Sequence, residues 1–185
     1  MAVHLKICVA GPSRAGKTLI SNLIAGHHGE SPVPYEETIG CRILESEFNV
    51  DGRSVDNRKI ERNVRVSVEI WDLGDSRFEK CFLAASKSAH GLIIVYDPTK
   101  DHEADVHSWY RWGQQNAKLD NRQVLLVANP GPDGKVSGNG RLSPPMDKLS
   151  MINFLLEDFS QLRHAISEFI GVLFGFHPDA EFLDD

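Results

Sequence analysis

The chain has no apolar run approaching the roughly 18 residues a helix needs to cross a bilayer. Its longest candidates, such as Gly91 to Tyr96, are strand-sized. The opening MAVHLK lacks a secretory h-region, Ala2 stands where N-myristoylation needs glycine, and the closing EFLDD holds no prenylatable cysteine. We therefore expect no lipid anchor and no transmembrane segment. Positive charge is not in excess either: 20 Lys and Arg face 26 Asp and Glu, a formal net charge of −6. That balance argues against nucleic acid or an anionic membrane as the main partner. Cysteine is scarce. Cys8, Cys41 and Cys81 are odd in number, widely spaced and without a C-x-x-C pair, so they read as reduced, mostly buried thiols of an intracellular protein.

What remains is enough for one domain with a proper core: 185 residues, 41% hydrophobic and 25% charged. Val3, Leu5, Ile7 and Val9 alternate in a first strand, GPSRAGKT follows, and Leu19, Ile20, Leu23 and Ile24 recur at helical spacing until Gly26. The breaker-rich stretch from Gly26 to Thr38 reads as a loop. Leu44, Ser46, Phe48 and Val50 alternate, Asp51-Gly52 begins a turn, and Val64, Val66, Val68 and Ile70 alternate in turn, so these two strands should pair antiparallel across a long connection. A helix around Glu79 to Ser88, a buried strand GLIIVY, a helix from Glu103 to Leu119 and a strand from Val124 to Val127 follow. Pro130 to Pro145 is too rich in Gly and Pro for a regular helix, and a strand around Met151 to Phe154 and a helix from Phe159 to Phe174 complete the order β-α-β-β-α-β-α-β-β-α. There is no internal repeat and no second domain.

The strongest chemical signal is Gly11 to Thr18, GPSRAGKT, which satisfies G-x-x-x-x-G-K-[ST] between a strand and a helix. Glycines let backbone N–H groups approach phosphates, and the helix N-terminus adds its dipole, which makes Ser13, Arg14, Ala15 and Gly16 candidate phosphate contacts. Lys17 supplies a cation for the β- and γ-phosphates, and Thr18 offers a hydroxyl ligand to Mg²⁺.

After the first helix a nucleotide kinase would run into further helices and an arginine-bearing lid. Here Thr38-Ile39-Gly40 leads straight into a hairpin whose second strand ends at Asp72. TIG before one strand, WD at the end of the next and AHGLIIVYD (Ala89 to Asp97) resemble the Ras superfamily, the Rab branch especially, over nearly the whole chain. CRILESEF (Cys41 to Phe48), KSAHGLIIVYD and above all LSPPMDKL (Leu142 to Leu149) resemble the Rab-like small GTPase subunit of the intraflagellar transport complex B, since LSPP is not a general GTPase motif. The resemblance implies an α/β fold, the P-loop NTPase small G-domain: a six-stranded, mostly parallel sheet with one antiparallel hairpin strand and helices on both faces. The domain would span 1–176, with a short acidic C-terminal tail over 177–185. It further implies GTP/GDP and Mg²⁺ as cofactors, docking on coiled-coil subunits of that complex, and residence in the cytoplasm, the cilium or flagellum and its base.

Carried over residue by residue, Thr38 matches the switch-one threonine, which binds Mg²⁺ through its hydroxyl and the γ-phosphate through its N–H. Tyr35, three residues earlier, either lies over the phosphates or is a half-buried loop tyrosine. Asp72 matches the aspartate that reaches Mg²⁺ through water. The pattern then breaks. Where the Rab form reads W-D-T-A-G-Q-E-R-F, this chain has WDLGDSRF (Trp71 to Phe78), one residue shorter. Either Gly74 offers its N–H to a γ-phosphate from a shifted position, or Asp75 does. No glutamine follows, and Asp75 and Ser76 stand where the water-orienting residue belongs, so very slow turnover is expected unless a partner supplies the group. The N-K-x-D motif appears as Asn129-Pro130-Gly131-Pro132-Asp133: Asn129 is in place, the lysine is gone, and Asp133 is either the guanine reader or a plain turn residue.

Other signals carry less. HEADVH (His102 to His107) spaces its histidines five apart, on different helix faces, and His27-His28 lacks a third ligand, so no zinc site is expected. Trp109, Tyr110 and Trp112 read as core, with any exposed part a candidate partner anchor, and Phe169, Val172, Leu173 and Phe176 read mostly as core. Three functions stay open: a nucleotide-dependent binding module, a true GTPase cycling with an activating protein, and a scaffold that has lost nucleotide control.

Overall fold

The computed structural model describes residues 3–27, 37–51, 63–74, 79–131, 142–154 and 159–177. The strands are β1 (Val3–Ala10), β2 (Cys41–Val50), β3 (Val64–Leu73), β4 (Gly91–Tyr96), β5 (Val124–Ala128) and β6 (Ser150–Asn153), and the helices α1 (Lys17–Ile24), α2 (Glu79–Ser86), α3 (Glu103–Asn116) and α4 (Phe159–Gly175). They form a six-stranded sheet in the order β2-β3-β1-β4-β5-β6. Every neighbouring pair is parallel except β2 with β3, which is antiparallel. The expected hairpin and element order are therefore present.

Period-two alternation decides the layers. On β1 the side chains of Val3, Leu5, Ile7 and Val9 join Val66, Val68 and Ile70 of β3, and against them lie Ile20 and Ile24 of α1 and Leu162, Ile166, Phe169, Ile170 and Leu173 of α4. The opposite phase, Cys8 and Ala10, packs with Leu92 and Ile94 of β4 beneath Phe82 and Ala85 of α2 and Val106 and Tyr110 of α3. Strands β4 and β5 are buried along their whole length, GLIIVY and VLLVA, because helices cover both faces.

Several boundaries differ from expectation for local reasons. The third helix stops at Asn116 rather than Leu119: Lys118 adopts φ 58, turning the chain so that Leu119 enters the core at 5% exposure. Helix α2 ends at Ser86, where the Ser86 hydroxyl donates to the Leu83 carbonyl and Ser88 takes φ 56. Strand β3 runs through Trp71 and Asp72 to Leu73, because β2 starts early enough for Cys41 to pair with Leu73. Asp72 thus lies within a strand, not at its end.

The thiols differ as well. Cys8 is buried, and burial pushes its pKa up to about 12, but Cys41 and Cys81 are half-buried. Trp109 and Trp112 are half-buried too, edge-to-face at 5.8 Å, with Trp109 against Phe82 at 5.4 Å; Tyr110 is core. The LSPPMDKL segment is anchored by Met146 and Leu149 in the second core layer and by the Ser143 N–H, which donates to Glu103 at 2.7 Å. No described helix is long and apolar enough to cross a membrane. Tyr35, Asp75, Ser76, Asp133 and the tail over 178–185 lie outside the described residues.

His90 stitches β1 to the start of β4. Its ring Nδ1 accepts the Lys6 backbone N–H at 2.9 Å, and its backbone N–H donates to the Lys6 carbonyl at 2.8 Å. Burial, then the neighbouring His177 and Lys6, hold its pKa below the usual histidine value. The unfolded chain therefore takes up a proton that the folded chain resists, so stability is full above the ordinary histidine pKa of about 6.5 and falls as pH drops through it. Urea unfolding of the nucleotide-free protein should lose stability between about pH 7.5 and about pH 5.5, with a shallower slope in His90→Gln.

Candidate functional site

In an open parallel sheet, ligands bind beyond the carboxyl ends of the strands where strand order reverses. Here that point is β1, flanked by β3 on one side and β4 on the other. Gly11 leaves β1, Asp72 sits near the end of β3, and Asn129 follows β5, so the three candidate segments collect along one edge.

Helix α1 begins at Lys17, and Gly16 is its N-cap residue at φ 90. That conformation already favours glycine, and the space enforces it: a Cβ at Gly16 would lie 2.3 Å from the Asn129 amide nitrogen. The amide uses this closeness. Asn129 Nδ2 donates to the Ala15 carbonyl at 2.9 Å, while its Oδ1 accepts the Gly131 N–H at 3.3 Å. Asn129 therefore ties the loop after β5 to the phosphate-type loop after β1. Lys17 folds back over that loop, its Nζ donating to the carbonyls of Gly11 at 3.1 Å and Pro12 at 2.9 Å. Ser13 and Arg14 are exposed at the loop's apex, with Arg14 at φ 58.

In the first turn of α1 the second cluster begins. Thr18 Oγ1 donates to Asp72 Oδ2 at 3.0 Å and lies 2.9 Å from Thr38 Oγ1. A hydroxyl has one proton, so with the Thr18 proton on the carboxylate it is Thr38 that donates to Thr18. Arg42 Nε also reaches Asp72 Oδ2, at 3.2 Å, and Arg42 Nη2 donates to Asn22 Oδ1 at 2.8 Å. Asp72 is fully buried, and its other oxygen, Oδ1, has no hydrogen-bond partner among the described residues. The Gly74 N–H, a candidate γ-phosphate donor, instead donates to the Gly40 carbonyl at 2.9 Å, and a Cβ at Gly74 would fall 2.0 Å from the Thr38 carbonyl.

This donor set fits a small, hard divalent cation. Two hydroxyls and a carboxylate, all oxygen, converge from three elements, as Mg²⁺ requires. The orphaned Oδ1 is a buried acceptor of the kind that normally has a partner, and a metal-bound water would provide one. Of the residues expected from sequence, Ser13 to Thr18, Thr38, Asp72, Gly74 and Asn129 gather at this edge. Arg42 and Asn22 were not among those expectations, yet Arg42 holds the central carboxylate from the side and Asn22 holds Arg42.

Sheet order, loop and hydroxyl–carboxylate cluster together define a P-loop NTPase of the small G-domain class. Residues 6–130 match the model of the Roc family, described as Ras of Complex, Roc, domain of DAPkinase. Over 156 residues the chain is 34% identical to the intraflagellar transport protein 22 homolog of Homo sapiens, an alignment that covers 83% of this chain and 80% of that protein. The chain belongs to the intraflagellar transport protein 22 family of Ras-like domains. In fold it is similar to the Trypanosoma brucei IFT22/74/81 GTP-bound crystal structure, with a TM-score of 0.69 at 23% identity over 94% of this chain and 99% of that one. The Trypanosoma brucei IFT22 GDP-bound crystal structure is similar at a TM-score of 0.61 and 20% identity, over 90% of this chain and 96% of that one.

The Asn129 tether is an internal bond between two loops of the protein, so its loss should register in unfolding of the nucleotide-free protein. Asn129→Ala strips the Ala15 carbonyl of this donor, and we expect a loss of about 1–3 kcal/mol in urea unfolding.

Proposed function

We propose that this chain is a GTP/GDP- and Mg²⁺-binding module of the intraflagellar transport machinery of the cilium or flagellum, with weak or no intrinsic hydrolysis. The observation that carries the reading is the convergence of Thr18, Thr38 and Asp72, from α1, the segment before β2 and β3, within hydrogen-bond distance beside Lys17. Membership of the intraflagellar transport protein 22 family supports it. So do the Trypanosoma brucei neighbours, whose names give GTP and GDP as ligands and the 74 and 81 proteins as companions.

In this reading Ser13 to Gly16 present backbone N–H groups to the phosphates, and Lys17 carries a positive charge to the β- and γ-oxygens. Thr18 and Thr38 would hold Mg²⁺ through their hydroxyls and Asp72 through a water, and the bound ion supplies charge neutralisation at the phosphate oxygens. Because Thr38 lies one element away from Thr18 in sequence, a ligand that engages both fixes the approach to β2, and the face so ordered is what a partner reads. Tyr35 and Asp133 complete the proposed pocket over the phosphates and the base, and coiled-coil subunits of the transport complex are the proposed partners. Slow turnover follows from the sequence Asp75-Ser76 where a glutamine would orient water.

Chromatography of the nucleotide that co-purifies with the protein tests this directly: GDP or GTP is expected, and ATP, or nothing, sinks the guanine reading. Lys17→Ala and Thr18→Asn should weaken guanine-nucleotide affinity by about 10- to 100-fold, the size of a lost charge-assisted contact. If partner binding by the two variants stays at the wild-type level, nucleotide does not organise the docking face and the protein is a scaffold.

A further inference from the structure

Among the described residues, two cross-strand ion pairs join β2 to β3, and they differ in kind. Arg65 meets Glu47 at 2.6 Å with both side chains more than 60% exposed, a surface pair of the sort that contributes little. Arg42 meets Asp72 at 3.2 Å with the carboxylate at 0% exposure. Arg42 and Asp72 are direct register partners in the hairpin, and Asn22 of α1 fixes the far end of the guanidinium. The guanidinium is therefore held between three elements, and it is the cation that meets the buried Asp72 carboxylate.

We propose that Arg42 is the built-in counter-cation of this site: it holds the Asp72 carboxylate when no divalent ion is present, and Mg²⁺ must compete with it. The inference rests on the nucleotide reading above and adds a property to it, a weakened affinity for Mg²⁺. A carboxylate so deeply buried is costly without a partner. Thr18 contributes only a hydroxyl hydrogen bond, so in the metal-free protein the compensating charge comes from Arg42. The same geometry places a fixed positive charge on the oxygen next to the one left for a metal-bound water, and like charges sharing one carboxylate oppose each other. Asp72 Oδ2 is shared by Thr18 and Arg42 while Oδ1 stays unpartnered, so the carboxylate is already divided between an internal partner and an open one. Arg42 is a positioning residue that acts through Asp72.

The test is the free Mg²⁺ concentration that half-maximally slows release of a fluorescent guanine nucleotide, measured in metal buffers for wild type, Arg42→Gln and Arg42→Lys. Arg42→Gln should shift that midpoint about ten-fold lower, while Arg42→Lys stays near wild type because the charge is kept. In parallel, the nucleotide-free Arg42→Gln protein should melt at a lower temperature than wild type without Mg²⁺, and the gap should close when nucleotide and Mg²⁺ are loaded. An unchanged Mg²⁺ midpoint in Arg42→Gln, even with lower stability, overturns the proposal and leaves a purely structural pair. A wild type that binds no guanine nucleotide overturns it together with the reading beneath it. Should Arg42→Gln fail to fold, Asn22→Ala, which loosens the guanidinium without removing its charge, should move the midpoint in the same direction by a smaller factor; no movement overturns the proposal.

Discussion

A carboxylate with no solvent exposure stands at the centre of this molecule. Asp72 lies within β3, and the strand that carries it is the one that joins the parallel part of the sheet to the antiparallel edge. Burying an unpaired charge would be too costly for a domain whose net stability is only about 5–15 kcal/mol. The surroundings must therefore supply partners, and they come from the elements in reach: Thr18 from α1 and Arg42 from β2 bond the carboxylate, with Thr38 behind Thr18 and Asn22 behind Arg42. The carboxylate thus dictates how α1, the segment before β2 and the β2–β3 hairpin fit together. A mobile or shifted β2 would leave the charge uncompensated, so the position of the hairpin and the integrity of the site are one constraint.

The rest of the sheet delivers the loops to that point. Parallel strands buried on both faces cannot shift register without moving a whole row of apolar side chains to the wrong layer. The pairings Val9 with Asp72 and Val95 with Val127 thereby fix where the loops after β1, β3, β4 and β5 emerge. Asn129 completes the frame by bridging two of those loops directly, from its amide to the Ala15 carbonyl. At the end of β4, burial pulls the Asp97 pKa upward, but Lys100 and Thr99 more than offset this and keep it below the usual carboxylate range, which stabilises the neighbouring turn. Layer packing positions the loops, and a few buried polar contacts set their final approach.

Most of this was legible because the periodicities are strong. The alternation in β1, β2 and β3, the all-apolar runs of β4 and β5, and GPSRAGKT between a strand and a helix all point to one architecture without reference to coordinates. Helix ends were less readable, because Lys118 and Ser88 take left-handed conformations that no glycine announces. The partner of Asp72 was the larger omission, although a signal existed. Arg42 lies two residues before Leu44, in the phase shared by Phe48 and Val50, and Asp72 lies two after Ile70, in the phase shared by Val66 and Val68. Two opposite charges in the core-facing phase of paired strands demand each other, but seeing this requires the register, and register was not fixed by a connection as long as Arg53 to Asn63.

Holding a nucleotide and hydrolysing it draw on different residues, and under the proposed reading this chain would separate them. In that reading, holding would rest on backbone N–H groups, one lysine and two threonines, whose positions are set by β1, α1 and the β2–β3 pair and are supported by packing in both layers. Hydrolysis needs, in addition, a side chain that orients water next to a γ-phosphate, on the segment after β3 where the sequence reads Asp75-Ser76. The hydrogen bond from Gly74 to the Gly40 carbonyl closes the end of β3 onto the start of β2, and the Thr38 carbonyl occupies the space a side chain at Gly74 would need. The segments on either side of the proposed γ-phosphate position are thus joined by the backbone. Under the proposed reading, nucleotide and its ion add charge balance and rigidity beside this contact, whereas turnover would need a water-orienting group that the sequence Asp75-Ser76 does not offer.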